Sequence, residues 1–332
     1  MSQIRTVAFT RQATNVFLHI LTRCNLRCRH CYINPAQHGR RQVPLKTVTA
    51  WLKALVRPDG RANLILLGGE PTLHPDLAAI VTTARQMGYG SVTIDTNGWG
   101  IPALVDRLSP ADVDAISFSL DGPTAEENDR LRGRGSYAIC LKGVKAAVDR
   151  GFAASMITTV STVNIDDLAR MVPLVKRWGI RRFFIQVIGI RGRSAGPQAT
   201  EGQVDRDRWL AVVPEVAQRI AEDGITVTYP KVFLGPDELF ECAGKVADNH
   251  FIFPNGRVYR CPLCEDYPLH SLALEGKKLV PTPRINEADL FELTIPEGCV
   301  MNKLVQPGNI AYGADGRPLY KIACCLLKEQ IQ

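Results

Sequence analysis

The sequence predicts an α/β fold in which a parallel sheet carries helices on its outside and a smaller cysteine-rich module follows. Three observations lead there. Six strand-like segments alternate with helix-like ones between residues 16 and 188. Capping residues punctuate the helix ends. Beyond about Tyr229 the alternation stops, and short segments with Pro, Gly and six of the ten cysteines fill residues 230–332. Serial βα units give a parallel sheet because crossovers between parallel strands are right-handed.

Strands are expected at residues 16–21, 63–67, 91–95, 115–120, 155–160 and 183–188, each an apolar run of buried-strand length. Helices are expected at 45–56, 76–87, 102–108, 137–150 and 165–178. Gly88, Gly151 and Gly179 stop three of them, and Asn164 is the expected N-cap of the last, with Asp166 and Asp167 in its first turn. A further helix at 205–223 carries Leu210, Val213, Val216, Ala217 and Ile220 on one face, with Pro214 expected to kink or divide it. The parallel-sheet domain is assigned to residues 1–229 and the cysteine-rich module to 230–332.

Composition narrows the function classes. The chain of 332 residues is 45% hydrophobic and 22% charged, ordinary for a globular core. No stretch approaches about 18 uninterrupted apolar residues, so no membrane span is expected. Residues 1–14 lack the apolar centre of a signal peptide. Ten cysteines without an export signal point to metal or redox use in a reducing compartment, the cytoplasm. A formal charge of +7 permits acidic partners, and without an aromatic-rich basic stripe nucleic acid is not expected.

The most informative residues are Cys24, Cys28 and Cys31. Three closely spaced thiolates hold three irons of a cubane cluster and leave the fourth iron open, whereas ferredoxin-type clusters take four cysteines. A zinc site using His30 or His38 competes with this reading. The second signal is Gly68-Gly69-Glu70-Pro71, placed after the strand-like run 63–67. Its glycines permit close backbone approach, and its carboxylate can accept from an ammonium. Thr96-Asn97-Gly98, the run 117–122 and the run 189–193 follow at later strand ends.

In order and spacing this set resembles the radical S-adenosylmethionine (radical SAM) superfamily across about residues 15–230. The resemblance implies a partial (β/α)6 barrel with its site at the strand C-terminal ends. It implies a [4Fe-4S] cluster on Cys24, Cys28 and Cys31 whose open iron chelates SAM. Reduction by a donor such as flavodoxin or ferredoxin then yields a 5′-deoxyadenosyl radical that abstracts hydrogen. It assigns Gly68, Gly69, Glu70 and Pro71 to the methionyl end of SAM. It places Asn97, Ser119 and Asp121 near the ribose and sulfonium, and His30 near the adenine. Arg191 is a candidate for holding the SAM carboxylate or an anionic substrate, with Arg130, Arg132, Arg134 and Arg193 on the same rim.

The second cysteine set is Cys242, Cys261 and Cys264, with Cys299, Cys324 and Cys325 behind. Asn255-Gly256 signals a hairpin that folds residues 251–253 against Val258 and Tyr259 and brings Cys261 beside Cys242. The spacing resembles the opening of SPASM and twitch extensions. A single second [4Fe-4S] cluster is expected on Cys242, Cys261, Cys264 and either Cys324 or Cys299; a four-cysteine zinc site is the competing reading. Adjacent Cys324 and Cys325 are not expected to share one cluster if their segment is extended. Cys325 is a candidate hydrogen-atom donor. Cys140 is expected to be a buried inert thiol, and His19, His38, His74, His250 and His270 structural.

The expected function is hydrogen abstraction from a small molecule or peptide, giving oxidation, cross-linking, rearrangement or epimerisation. Maturation of a ribosomal peptide or protein side chain is the variant reading, and a non-catalytic redox or nucleic-acid-binding metal module the contrasting one. Only about fifteen residues precede the first strand, which tilts the expectation away from a leader-binding domain. The ending Gln330-Ile331-Gln332 lacks the Gly-Gly tail of molybdopterin-precursor cyclases.

Overall fold

The computed structural model describes residues 4–196 and 202–332. In chain order the first strands are β1 (Arg5–Val7), β2 (Thr14–His19), β3 (Ala62–Leu67), β4 (Ser91–Thr96), β5 (Ala115–Ser119), β6 (Ala154–Val160), β7 (Arg182–Val187) and β8 (Thr226–Pro230). The helices among them are α1 (Pro35–His38), α2 (Leu45–Leu55), α3 (Leu77–Gln86), α4 (Ile101–Leu104), α5 (Ala125–Arg132), α6 (Ser136–Asp149), α7 (Met171–Arg177) and α8 (Arg206–Ala221). Strands β2 to β8 pair in succession, all parallel.

Period-two alternation decides the two faces. Val16, Leu18, Leu64, Leu66, Val92, Ile94, Ile116, Phe118 and Met156 are fully buried in the main core. The alternate residues Phe17, Ile65, Asp95, Ser119 and Ile157 are half-exposed on the other, concave face. Low on that face a polar ladder fixes the register. Asn15 Nδ2 donates to Asn249 Oδ1 (2.9 Å), Asn63 Nδ2 to Asn15 Oδ1 (3.0 Å) and Ser91 Oγ to Asn63 Oδ1 (2.8 Å).

The remaining strands are β9 (Phe233–Leu234), β10 (Asp248–Ile252), β11 (Arg257–Tyr259), β12 (Leu272–Glu275), β13 (Lys278–Pro281), β14 (Lys321–Ile322) and β15 (Lys328–Ile331). Strands β9 and β14 pair with each other in a separate antiparallel two-stranded sheet, and the others extend both edges of the large sheet. Strand β10 joins β2 in parallel, β11 to β13 follow as antiparallel neighbours, and β15 pairs antiparallel with β8 and β1. Among the described residues β1 and β13 end the order, so the sheet is open, as expected of a partial barrel. The expected hairpin forms, with Phe251 opposite Tyr259, Ile252 opposite Val258, and Gly256 at φ 86° in its turn.

Several elements differ from the sequence reading. The expected helix at 165–178 is a 3₁₀ segment, Ile165–Arg170, followed by α7. Pro173 lacks an N–H and so sits in the first turn of a new helix. Asn164 does not cap it; its Nδ2 donates to Asp121 O and Thr159 O, both at 2.9 Å. Helix α8 runs unbroken through Pro214, held by the buried face of Trp209, Val213, Val216, Ala217 and Ile220. The helix expected at 102–108 shortens to α4, while α5 and the seventh parallel strand β8 were not anticipated.

Candidate active site

The cysteine loop leaves β2 and is pinned by backbone rather than by regular structure. Cys31 N donates to Cys28 O (3.3 Å), Arg29 N to Leu131 O (2.9 Å) and Arg193 N to Cys31 O (3.0 Å). Its approach segment runs beside the Gly68-Gly69-Glu70-Pro71 turn, where Gly69 N donates to Leu21 O (2.9 Å) and Glu70 N to Arg23 O (3.0 Å). A Cβ at Gly69 would lie 2.2 Å from Arg23 O, so this position is glycine because two backbone segments meet there.

Glu70 is 1% exposed and its carboxylate is occupied from inside the protein. Oε1 accepts from Thr72 N (3.0 Å), Thr72 Oγ1 (2.6 Å) and Thr96 Oγ1 (2.7 Å), and Oε2 accepts from Asn97 N (2.7 Å). Burial pushes this carboxyl up while those donors pull it back. Pro71 opens the 3₁₀ turn that follows. Asn97 Nδ2 donates to Asn25 Oδ1 (2.8 Å) and lies 3.8 Å from Cys24 Sγ. The turns after β3 and β4 are thereby tied to each other and to the loop.

Asp121 anchors the other side. Its Oδ2 lies 2.5 Å from Arg132 Nε and 3.2 Å from His30 Nε2, and Oδ1 accepts from Thr159 N (2.8 Å). Burial alone would raise this carboxyl, but the Arg132 and His30 charges hold it well below the usual carboxylate range. Arg132 also faces Cys28, whose Sγ lies 3.8 Å from Arg132 O. The sequence reading placed Arg132 only among rim cations. Its fixed place comes from α5, whose Thr124-x-x-Glu127 capping signal was there to be read. Ser119 sits on the half-exposed face at the end of β5, register partner of Ile157.

The thiols of Cys24, Cys28 and Cys31 are free and half-buried. Burial pushes Cys24 up to about 12 and raises Cys28, with Arg132 opposing the latter. Three thiols on one loop, close enough to influence one another and flanked by a buried guanidinium, suit an anionic thiolate-bound cluster.

Arg191 is committed elsewhere than the free rim cation expected from sequence. It pairs with Glu265, donates to Pro262 O (2.6 Å) and lies 4.8 Å over the Tyr32 ring. Cys242, Cys261, Cys299, Cys324 and Cys325 line one cavity, with Phe240 and Phe291 among its apolar walls. Cys264 is buried beside them, its thiol against that of Cys261. Among the described residues no three His, Cys, Asp or Glu side chains close around a single metal ion. Cys324 and Cys325 lie at a turn closed by Leu327 N to Cys324 O (2.9 Å), not in the extended segment assumed from sequence, so both thiols reach the cavity. Cys140 is buried in α6.

Residues 18–175 match the radical SAM superfamily. Mycofactocin maturase MftC of Mycobacterium ulcerans is 30% identical over 276 residues, covering 77% of this chain and 69% of its own. PqqA peptide cyclase of Ruegeria pomeroyi is 30% identical over 261 residues, 74% of this chain and 67% of its own. Pre-heme d1 synthase of Dinoroseobacter shibae is 32% identical over 183 residues, 54% of this chain and 44% of its own. The chain belongs to the radical SAM superfamily. It is a radical SAM enzyme, and its cofactors are a [4Fe-4S] cluster and SAM.

Solved structures share the fold. Streptococcus suis SuiB superposes with a TM-score of 0.60 at 15% identity over 76% of this chain and 61% of that one. The anSMEcpe structure with bound AdoMet and Cp18Cys peptide superposes at 0.63 and 14% identity, over 89% and 88%. The chain thus spans 61% of the SuiB length. Among the described residues no helix is long and apolar enough to cross a membrane.

Proposed function

We propose that this enzyme modifies a peptide, beginning with abstraction of a hydrogen atom from it. The observation that carries the reading is the convergence of three strand-end turns on the Cys24, Cys28 and Cys31 loop above a half-exposed concave face. When bound, the cluster and SAM supply a 5′-deoxyadenosyl radical. The chain's own residues hold and shield that site. The Gly68-Gly69 backbone faces the cluster loop and presents the edge for the methionyl group. Glu70 fixes the Asn97 turn against it, while Asp121 orients His30 and Arg132 beside Cys28. Ser119, at the end of β5 on the half-exposed face, would face the ribose.

A peptide substrate is favoured because similarity to the PqqA peptide cyclase covers 74% of the chain, more than residues 1–229 supply, and because anSMEcpe with its bound Cp18Cys peptide shares the fold. A small-molecule substrate is the second reading, supported by the pre-heme d1 synthase likeness. We assign residues 230–332 to a module carrying a second [4Fe-4S] cluster on Cys242, Cys261, Cys264 and either Cys324 or Cys299, with Cys325 as candidate hydrogen donor. An acidic carrier of flavodoxin or ferredoxin type is the proposed electron source, since Arg23 and Arg27 are exposed between and before the cysteines. Ten free thiols suit the cytoplasm.

Anaerobic reconstitution with SAM and dithionite tests the reading. 5′-Deoxyadenosine is the expected product, with formation accelerated by the cognate peptide. Zinc without iron, and no deoxyadenosine, would refute it.

A further inference from the structure

We propose that Asp95, with Ser117 beside it, is the binding point for a protonated amine of the substrate on the concave face of the sheet. The inference rests on the reading that substrate enters that face. Asp95 belongs to β4 and points to the half-exposed side shared with Phe17, Ile65 and Leu67. Its register partner across β5 is Ser117, whose buried hydroxyl is turned to Asp95 and has no other hydrogen-bond partner among the described residues.

The buried carboxylates around the site have their partners. Glu70 accepts from four donors, Asp121 meets Arg132 and His30, and Glu265 meets Arg191. Among the described residues no cationic side chain pairs with Asp95. Burial pushes its carboxyl up to about 7 against the lowering pull of the Ser117 hydroxyl, and the nearby Glu70 charge adds to the push. A desolvated carboxylate without a counter-ion is costly even where half-buried, and such groups are retained where a ligand completes them. An arriving ammonium forms a charge-assisted hydrogen bond there, and the Ser117 oxygen accepts a second proton of the same group.

The depth of Asp95 separates this cation from SAM. Asn97 marks the strand-end level, 3.8 Å from Cys24 Sγ. Asp95 precedes it by two residues, about 6.6 Å back along the strand from that level. A group bound there would lie below the strand-end turns assigned to SAM, on the face where substrate is proposed to enter.

The test uses reconstituted, SAM-loaded enzyme and n-butylammonium as probe, with n-butanol as its uncharged counterpart, by anaerobic calorimetry. The wild-type protein is expected to bind the ammonium at least tenfold more tightly than the alcohol. Asp95→Asn is expected to remove that preference and, by deleting a half-buried charge without a counter-ion, to raise the Tm of amine-free protein. Equal ammonium affinity in both proteins, or no preference over butanol in the wild type, overturns the proposal. A tenfold loss of SAM affinity with ammonium binding intact reassigns the carboxylate to SAM and also overturns it. So does a fall in Tm, which would reveal a counter-ion within the protein. A wild-type protein that makes no deoxyadenosine fails the enzyme reading itself, whatever the amine result.

Discussion

The Arg191 guanidinium and the Glu265 carboxylate form an ion pair across the seam between the parallel sheet and the cysteine-rich region, with the Glu265 side chain 2% exposed. The same guanidinium covers Tyr32, next to Cys31, and reaches the Pro262 carbonyl, next to Cys261. One side chain thus touches residues adjoining both cysteine sets.

Breaking that pair from one side is expected to be costly. Arg191→Met leaves a buried carboxylate alone, and loss of one partner of a buried pair costs about 3–5 kcal/mol. Denaturant unfolding of the iron-loaded protein measures it, and Glu265→Gln in the same background should recover part of the loss. A destabilisation below about 1 kcal/mol would place the pair among weak surface bridges instead.

Iron content separates the two cysteine sets. Anaerobically prepared protein is expected to hold about eight irons, from two cubane clusters. Replacing Cys24, Cys28 and Cys31 with Ala should leave about four and abolish deoxyadenosine formation. Full deoxyadenosine production in any single variant, or zinc in place of the residual iron, contradicts the assignment.

Gly69→Ala probes the contact between the second turn and the cluster loop. Its Cβ would fall 2.2 Å from Arg23 O, so one backbone segment must move. The expected outcome is a loss of about 1–3 kcal/mol, the range for overpacking. Loss of iron from the N-terminal set should accompany it. Retained iron and unchanged stability would mean that the loop yields freely.

Acid should loosen the packing of the hairpin. Phe253 lies between the rings of His19 and His38, at 4.1 and 4.0 Å between centroids. Burial pushes His38 down to about 4 and lowers His19 well below its ordinary value. The unfolded histidines titrate near about 6.5. Between about 6.5 and the depressed folded values the unfolded chain binds protons that the native chain does not, so stability falls as pH falls through that window. The denaturation midpoint should therefore drop between about pH 7 and 5, and His38→Gln should flatten part of the slope.

Local pattern revealed the repeating architecture. The six expected strands appear as β2 to β7, and the positive φ of Gly88, Gly151 and Gly179 at 90°, 81° and 66° matches the helix stops read from sequence. Helix α5 escaped because Ala125–Arg132 has no apolar stripe; charge pairing and a cap hold it instead. At the site, residue types and order were legible, but partnerships were not. Nothing local tells that Arg191 turns to Glu265, that Arg132 meets Asp121, or that Glu70 is filled by Thr72, Thr96 and Asn97. Those contacts depend on loops from different strands meeting, and one sequence carries no record of such distances. The turn at Cys324 and Cys325 was missed for a similar reason, since short irregular segments have no period to read.

The pairing of β10 with β2 bears on how the chain is made. Asp248 and Thr14, hydrogen-bonded side chain to side chain, stand 234 positions apart in sequence. During synthesis the strand leading into the first cysteine loop therefore stays a bare edge until the hairpin emerges. A bare edge is a template for wrong pairing, and such distant closure is slow. The cell's window for delivering iron to that loop, and its exposure to aggregation, is set by how late the second cysteine set leaves the ribosome.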